Sequence, residues 1–151
     1  MTDTNLNVQL VPVDAANWRD VAAVKPLPKQ EAFVASTTYY LCLAHYDAVW
    51  NPLAIVRDGS VVGHLMWAVD QGDDSTWLGG VVIDSAAQNQ GIGRAAVLSF
   101  INRFSSGDQV NFALSYAPDN TVARHLYSDL GFIATGEMAE DEIVARLRTV
   151  Q

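Results

Sequence analysis

The residues whose types and spacing best suit chemistry stand together at Gln88-Asn89-Gln90-Gly91-Ile92-Gly93-Arg94. They follow a run that reads as a buried strand, Trp77-Leu78-Gly79-Gly80-Val81-Val82-Ile83, and they open an amphipathic helix. The first N–H groups of a helix have no internal partner, so a strand, a two-glycine turn and a helix start can aim several amides at one anionic group such as a pyrophosphate. Glycine removes the Cβ that would hold a ligand away from the backbone, and the helix dipole adds positive potential. Arg94 either contacts the anion or is a solvated first-turn residue. Taken alone, the stretch also reads as a turn that needs glycine only for its shape.

A second constellation follows at Asn120-Thr121-Val122-Ala123-Arg124-His125-Leu126-Tyr127-Ser128-Asp129-Leu130-Gly131-Phe132. Two helical turns separate Asn120 from Tyr127, which puts them on nearly one face. With Gln88-x-x-Gly91-x-Gly93 between a strand and a helix, this second helix and its closing Gly-Phe resemble the acetyl-CoA signature of the GNAT superfamily of N-acetyltransferases. A narrower likeness, to bacterial spermine/spermidine acetyltransferases, lies in Gln30-Glu31-Ala32-Phe33-Val34-Ala35-Ser36, Leu114-Ser115-Tyr116, Thr135-Gly136-Glu137 and Val144-Ala145-Arg146-Leu147.

The resemblance implies an α/β fold over residues 1–151 as one domain. Its mixed, mostly antiparallel sheet of about seven strands would be flanked by four helices and splayed at the fourth and fifth strands. It implies that Gln88, Asn89, Gln90, Gly91, Ile92, Gly93 and Arg94 hold the pyrophosphate of acetyl-CoA. Val81, Val82 and Ile83 would offer backbone groups to the peptide-like arm of the coenzyme, as an added strand would. An N–H near Val82 or Ile83 would face the oxyanion formed when an amine attacks the thioester. Asn120 joins the coenzyme site, and Tyr127 would protonate the departing thiolate. A phenol near 10 and a thiol near 8.5 make that transfer slightly uphill, so the site must assist it. Without the resemblance, Tyr127 reads as a half-buried aromatic before a turn.

An alkyl amine with a pKa near 10.4 is neutral about once in a few thousand molecules at pH 7, so a proton acceptor is needed. Many relatives carry a glutamate in the strand before the cradle, where this chain has Gly79-Gly80. A water chain to Asp70, Glu31 or His64 is the substitute, with no basis in the sequence for choosing among them. The acidic stretch Glu137-Met138-Ala139-Glu140-Asp141-Glu142 reads as a loop that, in this fold, borders the acceptor pocket. Together with Glu31, this stretch from Glu137 to Glu142 would hold the distal ammonium groups of a polyamine, with Trp67, Tyr39 and Trp50 as walls or cation–π faces. Residue by residue, a solvated turn and core aromatics explain the same positions.

The elements that must position these groups are legible from apolar periodicity. Strands are expected at 7–11, 53–57, 61–69, 77–83, 110–116, 132–135 and 143–147, with Asp58-Gly59-Ser60 turning the second into the third. A helix capped by Asp14 should run through 17–21, and a longer one over 29–46 should present Phe33, Tyr40, Leu41 and Ala44. After the glycine turn, Val97, Leu98, Ile101 and Phe104 form a stripe that Ser105-Ser106-Gly107-Asp108 ends. Val122, Leu126 and Leu130 give the buried side of the last helix.

The composition bounds what this assembly can do. The 151 residues are 50% hydrophobic and 17% charged, which suits one stable core and excludes disorder. With 17 acidic against 9 basic residues the formal charge is −8, which argues against nucleic acid and favours cationic partners. The same charge repels polyanionic coenzyme A, which leaves the grip to local backbone donors. A lone Cys42 forms no internal disulfide, and no Cys/His spacing suits zinc. No secretory signal and no membrane span are expected, so the default is cytoplasmic and metal-free. The function expected is acetyl-CoA-dependent N-acetylation of a primary amine of a small polycation, most readily spermidine or spermine, by direct attack in a ternary complex. Acetylation of an antibiotic or protein amino group is the runner-up, and a non-catalytic acyl-CoA sensor is the reading from another class. The resemblance also leans towards a homodimer.

Overall fold

Alternating apolar residues build the strands, and the computed structural model describes them within residues 6–105 and 110–149. The elements are β1 (Val8–Pro12), α1 (Trp18–Ala22), α2 (Thr37–Asp47), β2 (Asn51–Arg57), β3 (Ser60–Val69), β4 (Thr76–Ile83), α3 (Ile92–Phe104), β5 (Asn111–Tyr116), α4 (Thr121–Asp129), β6 (Ile133–Ala139) and β7 (Glu142–Arg148), with short 3-10 turns at Pro28–Gln30 and Ser85–Ala87. Among the described residues they form a seven-stranded sheet in the order β1-β2-β3-β4-β5-β7-β6. Every neighbouring pair is antiparallel except β4 and β5, which run parallel and pair only at Thr76 with Phe112 and Trp77 with Ala113. Beyond Trp77 the two strands part, so the sheet opens into the expected slot. No helix among the described residues is long and apolar enough to cross a membrane.

The hairpin between β2 and β3 turns through Asp58 and Gly59 alone, at φ 50 and 83. Ser60 already pairs with Arg57, the two-residue primed turn whose twist matches the strands. Pro12 closes β1 rather than following it, which an edge strand tolerates.

Helix α3 lies against the sheet with Ile92, Ala96, Val97, Phe100 and Ile101 buried. Phe100 meets Phe112 of β5 at 5.6 Å and Phe104 at 4.9 Å between ring centroids. Burying such a side chain contributes about 1.5–3 kcal/mol, so this contact anchors the helix that opens at the two-glycine turn. Leu98 falls on the solvent side of the expected stripe. Of the expected turn after the helix, residues 106–108 lie outside the described ones.

Three expectations change. The helix expected over 29–46 is instead a 3-10 turn, an irregular stretch, and α2 beginning after Ser36. The Ser36 hydroxyl accepts the Tyr39 N–H at 3.1 Å, and hydroxyl residues favour such caps over helix interiors. On α4 the buried side chain is Tyr127, while Val122 is 70% exposed. The acidic stretch after β6 is no loop. Strands β6 and β7 run through most of it, Met138 pairs with Ile143, and the chain reverses at Glu140 and Asp141.

Candidate active site

Gly91 sets the cradle. It stands at φ +78 as the residue before α3, a conformation that costs any L side chain, and Asn89 precedes it at φ 62. The first helical hydrogen bond runs from the Ala95 N–H to the Gly91 carbonyl, which leaves the amides of Ile92, Gly93 and Arg94 ahead of the ladder. Gln88 is spent on scaffolding. It exchanges side-chain amide bonds with Gln30 at 2.9 and 2.6 Å and donates to the Ile83 carbonyl at 2.9 Å, tying the 3-10 turn at Pro28–Gln30 to the end of β4. Gln90 and Arg94 are exposed and line neither of the cavities at this site; the Gln90 side-chain oxygen accepts from Arg57 Nη1 at 2.6 Å.

Strand β4 bulges just before the cradle. His64 of β3 pairs with Val82 and Met66 with Gly79, so Gly80 and Val81 together face Leu65. Gly80 takes φ +57 there, and its carbonyl points to His64 Nδ1 at 2.7 Å. A carbonyl only accepts, so Nδ1 carries the proton. The imidazole is fully buried, and burial pulls its pKa down to about 4, which keeps the ring neutral. Its Nε2 has no partner among the described residues. A bulge frees backbone groups from the ladder, and here they belong to the strand facing the slot.

Asn120 and Tyr127 do share a face of α4. The Asn120 side-chain oxygen caps the helix by accepting the Ala123 N–H at 3.2 Å. Tyr127 is 8% exposed, with its ring 6.3 Å from Tyr116 and 5.9 Å from Phe132. Burial pushes its phenol well above the ordinary tyrosine range, which keeps it protonated and widens the gap that a proton passing to a thiolate has to cross.

Two cavities meet at these residues. The larger, about 470 Å³, lies between the end of β4, the start of α3 and the start of α4, and is lined by Val81, Val82, Ile83, Gln88, Asn89, Gly91, Ile92, Gly93, Asn120 and Tyr127 among others. The second, about 380 Å³, occupies the slot where β4 and β5 diverge. Phe33, Val34, Val81, Asn120, Ala123 and Tyr127 line both. One cavity can therefore take a long ligand along β4 while the other brings a second reactant to its end.

The second cavity differs from the expected acceptor pocket. Trp67 is not in it; its ring packs on Phe104 at 4.6 Å. Glu137 is exposed on the edge strand β6, where Arg146 Nε donates to it at 2.8 Å, and Glu31 is exposed and lines neither cavity. Tyr39 is exposed while its neighbour Tyr40 faces inward, stacked on His64 at 5.5 Å. Trp50 is present as expected, joined by Trp77 and Tyr116. A Cβ on Gly79 would come within 3.2 Å of the Trp50 ring, so this indole fills the place beside the strand where a carboxylate would stand. Of the suggested proton acceptors, Asp70 sits in an exposed turn and His64 behind the bulge; neither lines the cavity.

The carboxylate that does line it is Glu142, at the start of β7, whose Oε1 accepts from the Ser115 hydroxyl at 2.8 Å. Glu142 stands last in an acidic run with nothing local to distinguish it. The signal is the pairing of β5 with β7, which brings Ser115 opposite Val144 and sets Glu142 beside the end of β5.

Comparison with known proteins agrees with this geometry. Residues 15–132 match the model of the acetyltransferase (GNAT) family. No curated protein matches the sequence. An acetyltransferase from Thermus thermophilus superposes with a TM-score of 0.74 at 16% identity, covering 95% of this chain and 98% of that one. RimL, a ribosomal L7/L12 alpha-N-protein acetyltransferase solved with coenzyme A, gives 0.71 at 15% identity over 98% and 96%. A spermidine N-acetyltransferase SpeG chimera from Vibrio cholerae and hSSAT gives 0.69 at 18% identity, covering 96% of each chain. At such identities the likeness to solved structures speaks for the fold, while the family model spans most of the sequence: the chain belongs to the acetyltransferase (GNAT) family.

Proposed function

We propose that this protein transfers the acetyl group of acetyl-CoA to a primary amine of a small cation by direct attack in a ternary complex. The observation that carries this reading is the junction of the two cavities at Val81, Asn120 and Tyr127. The residues present suit the coenzyme: a cavity of about 470 Å³ ends at the free amides of Ile92 and Gly93, and the glycine leaves the backbone open to a phosphate. Acetyl-CoA supplies an activated thioester carbonyl. The Val81, Val82 and Ile83 backbone orients the arm that carries it, and the Tyr127 hydroxyl, at the junction, delivers a proton to the leaving sulfur.

A polyamine such as spermidine or spermine is the first acceptor to try, supported by the formal charge of −8 and by the fold shared with a spermidine N-acetyltransferase. Retention in the cytoplasm and a homodimer belong to the same reading. The fold shared with a ribosomal-protein acetyltransferase favours a protein amino group as the second reading. Thiol release from acetyl-CoA across a panel of polyamines, aminoglycosides and N-terminal peptides tests all three acceptor classes. Turnover of peptides without turnover of any polyamine would sink the polyamine acceptor. Tight acetyl-CoA binding without transfer to any amine would make the protein a sensor.

A further inference from the structure

The geometry points to Glu142, oriented by Ser115, as the seat of the acceptor's ammonium group and the group that takes its proton, and to an acceptor that is a primary aliphatic amine carried on an apolar chain. This inference rests on the acetyl-transfer reading above. Glu142 is the only carboxylate among the described residues lining the slot cavity. It stands at the open end of the β4–β5 divergence, across from Gly79 and Gly80, where the strand itself offers no acid. The Ser115 hydroxyl fixes Oε1, and among the described residues Oε2 has no partner. Its charge reaches across the cavity: with burial as the main cause, Glu142 helps to hold the Tyr40 phenol above its ordinary value. The other titratable groups facing this space are the phenols of Tyr40 on α2, Tyr116 on β5 and Tyr127 on α4.

The remaining wall selects the chain attached to the ammonium. Trp50, Trp77, Tyr40 and Phe33 give flat apolar faces that suit a run of methylenes and can hold a further cation over a ring.

In the transfer step the ammonium gives one proton to Glu142, leaving a nitrogen lone pair. That pair forms the N–C bond to the thioester carbonyl carbon, the C–S bond breaks with its electrons on sulfur, and sulfur takes a proton from Tyr127. The second nitrogen proton leaves to solvent, so the products are the amide, the free thiol and one net proton, once Glu142 and Tyr127 have re-equilibrated with water.

The test uses the full chain with acetyl-CoA and butylamine, putrescine and spermidine, following thiol release from neutral pH to pH ~10, with acetyl-CoA affinity measured by calorimetry. Glu142→Gln should lower kcat/KM for these amines about 100-fold at neutral pH, the size expected for a positioned base. Acetyl-CoA affinity should stay within about twofold, a check that the variant is folded. The deficit should shrink as pH approaches ~10, because the free amine is then neutral and needs no acceptor. Ser115→Ala should give a smaller loss with the same pH trend. A Glu142→Gln rate near the wild-type rate, or a deficit that does not change with pH, would overturn the assignment while leaving acetyl transfer intact. A wild-type protein that binds acetyl-CoA and acetylates none of the amines would overturn both.

Discussion

His64 donates its Nδ1 proton to the Gly80 carbonyl at 2.7 Å, and this bond pins the β4 bulge in a conformation, φ +57, that opens backbone groups to the slot. The ring is neutral because burial lowers its pKa from 6.5 to about 4. An unfolded histidine takes up its proton near 6.5 and the folded one only near 4, so the unfolded state gains protons first on acidification. Stability is full above about pH 6.5 and falls towards pH 4, with a total of roughly 3 kcal/mol at 1.36 kcal/mol per pH unit. His64→Asn keeps an N–H donor near the Nδ1 position and should lose this part of the acid sensitivity. His64→Leu should leave the carbonyl unpaired at a cost of about 1–3 kcal/mol. Urea unfolding of the three proteins across this pH range measures both effects, and equal acid sensitivity in all three would contradict the assignment.

Tyr127→Phe should lower kcat about 100-fold while acetyl-CoA affinity changes little, because the ring that packs on Tyr116 and Phe132 is kept. Burial raises the phenol pKa, so the group stays protonated well into alkaline solution. The wild-type rate should therefore show no fall attributable to tyrosine below about pH 10. Steady-state kinetics with each protein decide the matter; a Phe variant of normal kcat would remove Tyr127 from the chemistry.

Gly91 and Gly93 should fail in different ways. A Cβ on Gly93 would meet Ile83 at 3.7 Å and Leu126 at 3.9 Å, ordinary contacts, so the fold has room for it. Gly93→Ala should keep or slightly raise stability, since alanine is favoured over glycine in a helix by about 1 kcal/mol. It should nonetheless weaken acetyl-CoA about tenfold or more, near 1.4 kcal/mol, by crowding the amides proposed to hold the phosphates. Gly91→Ala should instead destabilise the protein by about 1–2 kcal/mol, because its φ of +78 is left-handed. Calorimetry and thermal unfolding separate the two, and unchanged acetyl-CoA affinity in Gly93→Ala would refute the cradle.

Legibility in the sequence depends on how local each cause is. The cradle and α4 announce themselves because a left-handed turn needs glycine and a helix start needs a cap, both demands on residues a few positions apart. The order of strands and the splay came with the family likeness. The acceptor side was legible only as an acidic stretch and a set of aromatics, because which of them face the slot is decided in the folded sheet. Gln30 and Gln88 are 58 positions apart and Ser115 and Glu142 are 27, with no local pattern to pair them. Trp67 and Trp50 have the same chemistry in a sequence, yet one is pressed on Phe104 and the other overhangs Gly79. Trp67 takes its face from the β3 register opposite Asn51, where a single slip would reverse it, while Trp50 stands one residue before β2.

Glu137 carries the consequence for substrate binding. Its carboxylate accepts from Arg146 Nε at 2.8 Å and Nη2 at 3.1 Å, and Arg146 also reaches Asp73 at 3.2 Å, binding the edge strand to the turn before β4. Hydrogen bonds from Arg146, then from Thr135, hold the Glu137 pKa below its ordinary value. Engaged by that arginine and outside both cavities, Glu137 is not placed to meet the distal ammonium of an acceptor in the slot. Exposed pairs of this kind add little to stability and weaken with salt. Glu137→Gln should leave KM for every amine within about twofold of wild type, whereas Glu142→Gln changes kcat/KM strongly. A large rise in spermidine KM for Glu137→Gln, with butylamine unaffected, would return Glu137 to the acceptor site.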